Sequence, residues 1–503
     1  MKSEEFTKEA SPPRSLVDDS AGLGHELLEF DRAEERRIVR KLDFCLIPLM
    51  TMFYLLSFLD RANIGNARVA GLQKDLGLTD HQYQVCVTVL YVPYIAAELP
   101  SNLLLRKIGP RIVMPTILTF WGMICALQGT VSSYAGLITV RAFLGLVEGP
   151  MFPGIVLYLS GFYTRKELSL RIAMFFSAAS LSGAFSGLLA AAIEHMDGIN
   201  GRPGWAWIFI LEGIFSLIVG LISFFITPST PQDVRWLTQR EKDIVVKRLR
   251  LDRPTTSPLD TFSFVQVWRS MSSPHVILNF IALFLNGTTL YGLALFLPSI
   301  VNQLGYSQTH TQLISVGPFA AGFAVTLITS YLSDHFKKRA TLAVVNSIIA
   351  MTGFIVFFRS TSKSMSYGSL FLSVSGTYAL PPILSAWMAN NSEPHYRRAT
   401  SVALGFVATN SGGILSTWMF PTNEAPRFRR ATILDISFSV GILVFSMLNI
   451  LYLTHATRQK HLRRAELLAP YVKNEDPPNA PLDGGDRAWA ELGDRHPDFR
   501  YAL

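Results

Sequence analysis

Charge is scarce in this chain of 503 residues. Only 16% of it is Asp, Glu, Lys or Arg, where an average globular domain carries about a quarter. With 49% apolar residues gathered in long blocks, that scarcity excludes an ordinary water-soluble enzyme. Cysteine is rarer still: Cys45, Cys86 and Cys125 fall singly in three apolar blocks. They read as small core residues, which excludes a disulfide framework or a thiolate metal site. No histidines stand at metal-ligand spacing on an apolar block, and there is no HExxH, Walker A loop or recognisable Ser or Cys nucleophile motif. Metal ligands, ATP-driven transport and catalytic residues are therefore not expected. The first forty residues lack the apolar region of a signal peptide, so the first apolar block is expected to act as its own targeting signal.

What is present is a series of apolar blocks of about twenty residues, each long enough to cross roughly 30 Å of hydrocarbon. Twelve can be marked, near 42–66, 82–105, 112–131, 136–160, 169–193, 205–227, 275–301, 311–332, 340–358, 367–389, 399–420 and 432–454. The predicted fold is an all-α integral membrane protein with twelve transmembrane helices in two six-helix halves. The net charge of +8 is attributed to topology, not to nucleic acid. Lys and Arg concentrate at the even-numbered loops and the ends, including Arg36, Arg37, Arg40, Arg106, Lys107, Lys337, Lys338, Arg397 and Arg398. Both termini are thus expected in the cytosol, although the last outer loop, "EAPRFRR", runs against the trend.

The division is a polar cytosolic head (1–41), an N-terminal half (42–227), a cytosolic middle loop (228–274), a C-terminal half (275–454) and a tail (455–503). In the middle loop, Pro231 is expected to start an amphipathic helix whose stripe is Trp236, Ile244, Val245 and Leu249. The tail is rich in Pro, Gly and charge and is expected to be disordered. The loops "SNLLLRKIGPR" and "SYLSDHFKKR" occupy equivalent places in the two halves, which suggests related repeats. The glycines Gly183 and Gly187 form a GxxxG suited to close helix packing.

Charges inside such blocks cost about 2.5–3.5 kcal/mol each on insertion scales, so each is a functional candidate. Asp60 and Arg61 are neighbours in "FLDRANIGNA" and diverge by about 100° on a helix. Arg141 and Glu148 share one face of "VRAFLGLVEGPMFPG" but stand roughly 10 Å apart, too far to bond directly. Gly145 and Gly149 leave that face open, and Pro153 is expected to bend the helix beneath it. The arrangement reads as one cavity wall. Glu98, Glu212 and Asp334 fit structural or gating roles better than substrate contact. Tyr94 and Asn410 are uncharged polar groups on membrane helices.

Two halves of six spans and the Asp-then-basic "SYLSDHFKKR" resemble the major facilitator superfamily. The first copy of that loop departs from the family pattern, with Arg106 where Asp is usual, which weakens an Asp-based inner gate in the first half. The stretches "LDRANIGNARVAGL", "RAFLGLVEGPMFPG", "GWAWIFILEG", "ANNSEPHYRRATSVA" and "TNSGGI" resemble the anion:cation symporters, in particular the fungal allantoate, nicotinate and vitamin permeases. The resemblance spans about residues 40 to 455. It implies two pseudo-symmetric halves, with Arg61 and Arg141 as substrate-carboxylate arginines and Asp60 and Glu148 as proton carriers. Tyr94 and Asn410 would be polar substrate contacts. From their positions in the chain, Glu98, Glu212, Asp334 and Arg339 are expected to be gating or structural groups. The fifth span lacks the Gly-Pro motif of drug antiporters.

The function so implied is proton-coupled symport of a small organic anion such as nicotinate, pantothenate or allantoate. Efflux of a secondary metabolite and a non-transporting nutrient sensor are the alternatives. The partners expected are a small carboxylate, protons and the lipid bilayer, with no nucleic acid. The protein is expected to be a monomer without cofactors, driven by a proton gradient, in the plasma membrane or else the vacuolar membrane.

Overall fold

A computed structural model describes residues 32–252, 264–393, 395–421, 424, 428–471 and 485–502. Among them the chain crosses the molecule twelve times, as helices. The first half comprises α1 (Arg32–Val69), α2 (Asp80–Ile108), α3 (Pro110–Gln128), α4 and α5 (Tyr134–Glu148 and Met151–Ser160, one crossing), α6 and α7 (Arg165–Phe176 and Ala178–Ile193, one crossing) and α8 (Gly204–Ile226). Two short helices follow, α9 (Gln239–Asp252) and α10 (Phe264–Met271). The second half comprises α11 (Pro274–Gln303), α12 (Gln308–Phe336), α13 (Arg339–Arg359), α14 (Lys363–Asn390), α15 (His395–Ser416) and α16 (Arg429–Leu462). A last helix, α17, covers Gly485–Leu492. This is the predicted all-α membrane architecture. Nine of the described helices are long and apolar enough by themselves to cross a bilayer. Side chains such as Phe44, Phe225 and Leu451 point outward and are largely exposed, the expected belt for lipid contact.

Local chemistry sets the helix ends. Thr79 and Gln82 cap α2 reciprocally at 3.2 and 3.0 Å, satisfying backbone donors that a helix start leaves open. Gly109, with φ of +92°, permits the sharp reversal into α3, and Pro110 follows at a position that needs no N–H. The fourth crossing breaks at Gly149–Pro150, not at Pro153 as the sequence suggests. Pro153 is the third residue of α5, where its missing N–H removes no intrahelical bond.

The two halves meet mainly away from the termini. Gly183 packs on the Phe319 ring and Gly187 on the Gln312 carbonyl, joining α7 to α12. Thr88 and Thr417 hydroxyls lie 2.6 Å apart across α2 and the end of α15. A Cβ on Gly65 would stand 2.1 Å from the Leu295 carbonyl oxygen, so α1 and α11 touch backbone to backbone. This far face is sealed.

On the terminal face each half carries its own appendage. α9 binds the first half through Lys41–Glu241 (2.5 Å), Arg240–Glu34 (3.1 Å) and Arg248–Glu167 (2.9 Å). It starts at Gln239, not Pro231, and buries Ile244 and Val245, while Trp236 lies before it and is part exposed. The Pro231 stretch instead makes a single 3-10 turn, since Thr230 caps Asp233 locally. α10 turns Phe264, Val265 and Trp268 outward, as a helix lying in the membrane interface does. Cys45 is exposed, so it is not the core residue that its apolar block suggests.

The tail departs from the disorder that its composition suggests. Residues 472–484 lie outside the described ones, but 485–502 are docked on the second half. Asp494 pairs with Arg397, Lys460 donates to the Phe499 carbonyl at 2.8 Å, and Trp387 Nε1 donates to the Ala502 carbonyl at 2.8 Å. Composition misses this because a few buried polar anchors, not an apolar run, hold the segment.

Gly65→Ala should force α1 from α11 and loosen the far seal. The expected readout is faster thiol labelling at position 417 in Thr417→Cys protein carrying Gly65→Ala than in Thr417→Cys alone, followed by peptide mass. Equal rates would mean the contact does not hold the seal.

Candidate substrate site

The sequence places a cation on α1 and a carboxylate on α4, and the tertiary structure joins them. Arg61 Nε donates to Glu148 Oε1 at 2.7 Å, with both side chains almost fully buried. Glu148 also accepts from the Ser57 hydroxyl, one turn before Arg61. On the same helix as Glu148, Gly145 lets α4 lie against α2: a Cβ there would be 2.0 Å from the Leu90 carbonyl oxygen. The guanidinium then reaches across to the second half. Arg61 Nη1 donates to the Tyr291 hydroxyl at 2.9 Å, and that hydroxyl donates to Asn410 Oδ1 at 3.0 Å. The Tyr94 ring lies under the guanidinium at 4.5 Å, a cation–π contact that stabilises a desolvated charge.

Beside this chain lies a central cavity of about 20 Å³, room for little more than a water. Arg61, Tyr94, Tyr291, Asn410, Ser385 and Thr409 give it polar walls. Aromatic rings, with Leu290 and Pro381, supply the rest, and toward the termini the Phe152 and Phe406 rings meet at 3.8 Å between centroids. The site is closed on both sides. Its one ionic group in the wall is a cation, with Glu148 behind it.

Three residues named from sequence, Arg61, Tyr94 and Asn410, line this cavity. Glu148 is their immediate neighbour. Asp60 and Arg141 do not line it. Arg141 is buried beside α2 and donates to the Cys86 carbonyl at 3.3 Å. Asp60 faces α3, where Cys125 Sγ lies at 3.3 Å. The expectation that Arg61, Arg141, Asp60 and Glu148 act at one site is corrected: Arg141, on the same face as Glu148 but two turns above it, meets α2 there and not α1. Glu212 is buried on α8, and Glu98 is buried one turn below Tyr94 on α2. Asp334 and Arg339 pair at 2.9 Å on the terminal face, where Arg339 also donates to the Ala386 carbonyl at 2.7 Å. Sequence reasoning misses Tyr291 and Ser57. A hint for Tyr291 exists, since "NGTTLYG" is the polar stretch of its otherwise apolar block.

The sequence model of the Major Facilitator Superfamily matches residues 50–417. The chain belongs to that superfamily. Its relatives include an uncharacterized transporter of Schizosaccharomyces pombe, 32% identical over 458 residues, covering 90% of this chain and 91% of that protein. The high-affinity nicotinic acid transporter of Saccharomyces cerevisiae is 31% identical over 472 residues, covering 93% and 85%. Among solved structures, the proton:xylose symporter XylE from E. coli aligns with a TM-score of 0.65 at 13% identity, covering 81% of this chain and 95% of that one. An inward-facing bacterial homolog of the human lysosomal transporter Spinster gives 0.63 at 15% identity, covering 81% and 96%. At such identities these share the fold alone. This major facilitator chain is therefore a multi-pass membrane transporter of a small molecule, not an enzyme, and it groups with the fungal nicotinate-like branch.

Breaking the buried pair leaves an uncompensated charge, so Glu148→Ala should destabilise the fold by about 3–5 kcal/mol. Tyr291→Phe keeps the pair and removes the hydroxyl's bonds to Arg61 and Asn410, of which the charged one contributes about 1.5–3 kcal/mol. Thermal unfolding of the purified variants should rank Glu148→Ala well below Tyr291→Phe; the reverse order would contradict the burial argument.

Proposed function

We propose that this transporter carries a small organic carboxylate, with flat aromatic acids of the nicotinate kind as the first candidates, together with a proton. The observation that carries the reading is the Arg61–Glu148 pair at the cavity wall. A guanidinium offers a planar fork that suits a carboxylate in two-point contact. While Glu148 is ionised it occupies Arg61. Once Glu148 takes a proton the pair loses its attraction, and Arg61 is left as an unbalanced cation in a dry site. An anionic substrate then completes the charge. Proton and anion each favour the other's binding, which is coupling in the thermodynamic sense.

The rest of the wall fits that role. Tyr291 and Asn410 come from the second half, so an anion held by Arg61 and these groups would tie the two halves together. Tyr54, Phe58, Phe152, Phe176 and Phe406 supply ring faces against which a flat acid can pack. With about 20 Å³ free, the halves must move apart before such a molecule enters, as rocking of two repeats about a central site provides. The nicotinic acid transporter among the relatives supports this substrate class.

The excess of Lys and Arg on the terminal face favours the cytosol for that face on the positive-inside rule, and a proton gradient across the plasma membrane would then drive uptake. The driving force is the gradient itself, with no bound cofactor. The transport unit would be the single chain, since both halves of the site come from one polypeptide.

In proteoliposomes with an acidic exterior, the wild-type protein should accumulate radiolabelled nicotinate above equilibrium, and a competing panel of carboxylates should rank its preference. Glu148→Gln should keep counterflow exchange of nicotinate and lose accumulation. Concentrative uptake by Glu148→Gln would overturn the role of Glu148, and a lack of carboxylate competition would overturn the substrate class.

A further inference from the structure

A dense group of buried polar atoms without partners lies behind α1, on the side away from the cavity. Asp60 accepts from Cys125 Sγ at 3.3 Å, and the same sulfur lies 3.9 Å from the Phe209 carbonyl of α8. Trp121 also stands beside Asp60. On α3 the residues Trp121, Cys125 and Gln128 are four and three apart, so they form one stripe along a single face. α3 and α8 cross closely at this level. A Cβ on Gly213 would lie 2.2 Å from the Ala126 nitrogen, and one on Gly122 would lie 2.8 Å from the Gly213 carbonyl oxygen. That crossing brings Glu212 into the cluster, within electrostatic reach of both Asp60 and Cys125.

Glu212 is 4% exposed, and neither of its oxygens has a hydrogen-bond partner among the described residues. Gln128 is fully buried, and both its amide oxygen and its amide nitrogen are equally unpartnered. No Lys or Arg forms an ion pair with Asp60 or Glu212 among the described residues; the other charged groups facing Asp60 are Glu148 and Arg141. Two carboxylates in a low-dielectric site without a paired cation do not both ionise, because each is desolvated and repels the other. Asp60 has a donor in the Cys125 thiol whereas Glu212 has none, so the ionised form is better supported at Asp60 and the single proton at Glu212.

We propose that Asp60 and Glu212, gathered around Cys125, form a carboxyl pair that holds one proton apart from the substrate cavity, with the polar stripe to Gln128 leading toward the far face. This rests on the proton-coupled reading of the site and adds to it a proton place distinct from Glu148. It also gives Glu212 a different role from the structural one its sequence suggests. The link to substrate is mechanical. Asp60 and Arg61 are consecutive on α1, so a movement of α1 when an anion binds Arg61 displaces Asp60 against Cys125 and Glu212. Loading converts one carboxylate to a carboxylic acid and unloading reverses it, with no other bond changed.

Infrared titration of the reconstituted protein tests the pair without any substrate. Wild-type protein at neutral pH should show a protonated-carboxyl carbonyl band that Glu212→Gln abolishes and that Asp60→Asn or Cys125→Ser shifts. A band unchanged in all three variants, or one removed by Glu148→Gln instead, overturns the proposal. Where Glu212→Gln fails to fold, the shift in Cys125→Ser, which keeps a hydrogen-bond donor, decides in its place. The ratio of protons to nicotinate moved should fall by one in Glu212→Gln while nicotinate exchange persists; an unchanged ratio counts against the pair. Failure of the wild type to accumulate nicotinate would instead strike the proton-coupled reading, and the infrared band would still report on the pair.

Discussion

A guanidinium and a carboxylate buried together between two bundles constrain everything else in this molecule. Arg61 and Glu148 are both nearly inaccessible, and their bond is 2.7 Å long. Desolvating two ions costs several kcal/mol each, and their attraction offsets that cost only with good geometry and further hydrogen bonds. Here Ser57, Tyr291 and the Tyr94 ring supply those further contacts. The same arrangement makes the pair sensitive to any change in charge, since nothing nearby can absorb an unbalanced one by solvation. Arg61 differs from a purely structural ion-pair partner in having space beside it and a hydrogen-bond partner on the opposite half.

The architecture keeps that sensitivity useful. Contacts between halves are concentrated on the far face, where glycines let backbones touch, and on a thin aromatic layer toward the termini. The appendages of the terminal face do not bridge the halves in the bonds described. α9 is tied to α1 and the start of α6, whereas residues 485–502 are tied to α14, α15 and α16. Each half therefore carries its own appendage, and the Arg61–Tyr291–Asn410 chain links the halves at the centre.

The apolar blocks make the crossings legible along the chain itself, because a bilayer demands about twenty apolar residues per helix whatever the packing. Buried charges are legible for the same reason: their cost in hydrocarbon marks them out. Which of them meet is not. Arg141 and Glu148 share a helix face in sequence, yet Arg141 turns to α2 and Glu148 to α1, since partners are chosen by neighbouring helices and not by spacing along one. Tyr291 stays hidden because a lone tyrosine in an apolar block carries no signal until the opposite half is in place. The tail misleads for the converse reason: its composition is that of a disordered segment, but Asp494 and the Ala502 carbonyl find buried partners in Arg397 and Trp387.

By itself the sequence determined the number of crossings, the division into halves, the side on which basic loops gather and the central charges Asp60, Arg61, Arg141 and Glu148, though it did not single out Asp435, buried on α16. These follow from hydropathy and length, which act locally along the chain. Only the tertiary structure decided that the four central charges do not share one chamber. Arg61 and Glu148 stand at the cavity, Arg141 turns to α2, and Asp60 stands with Glu212 behind α1. Consecutive residues on a helix point about 100° apart, so one step along α1 carries the chain from the central cavity to a different polar cluster. Which cluster each residue enters depends on how α3, α4, α8 and α11 pack around that helix.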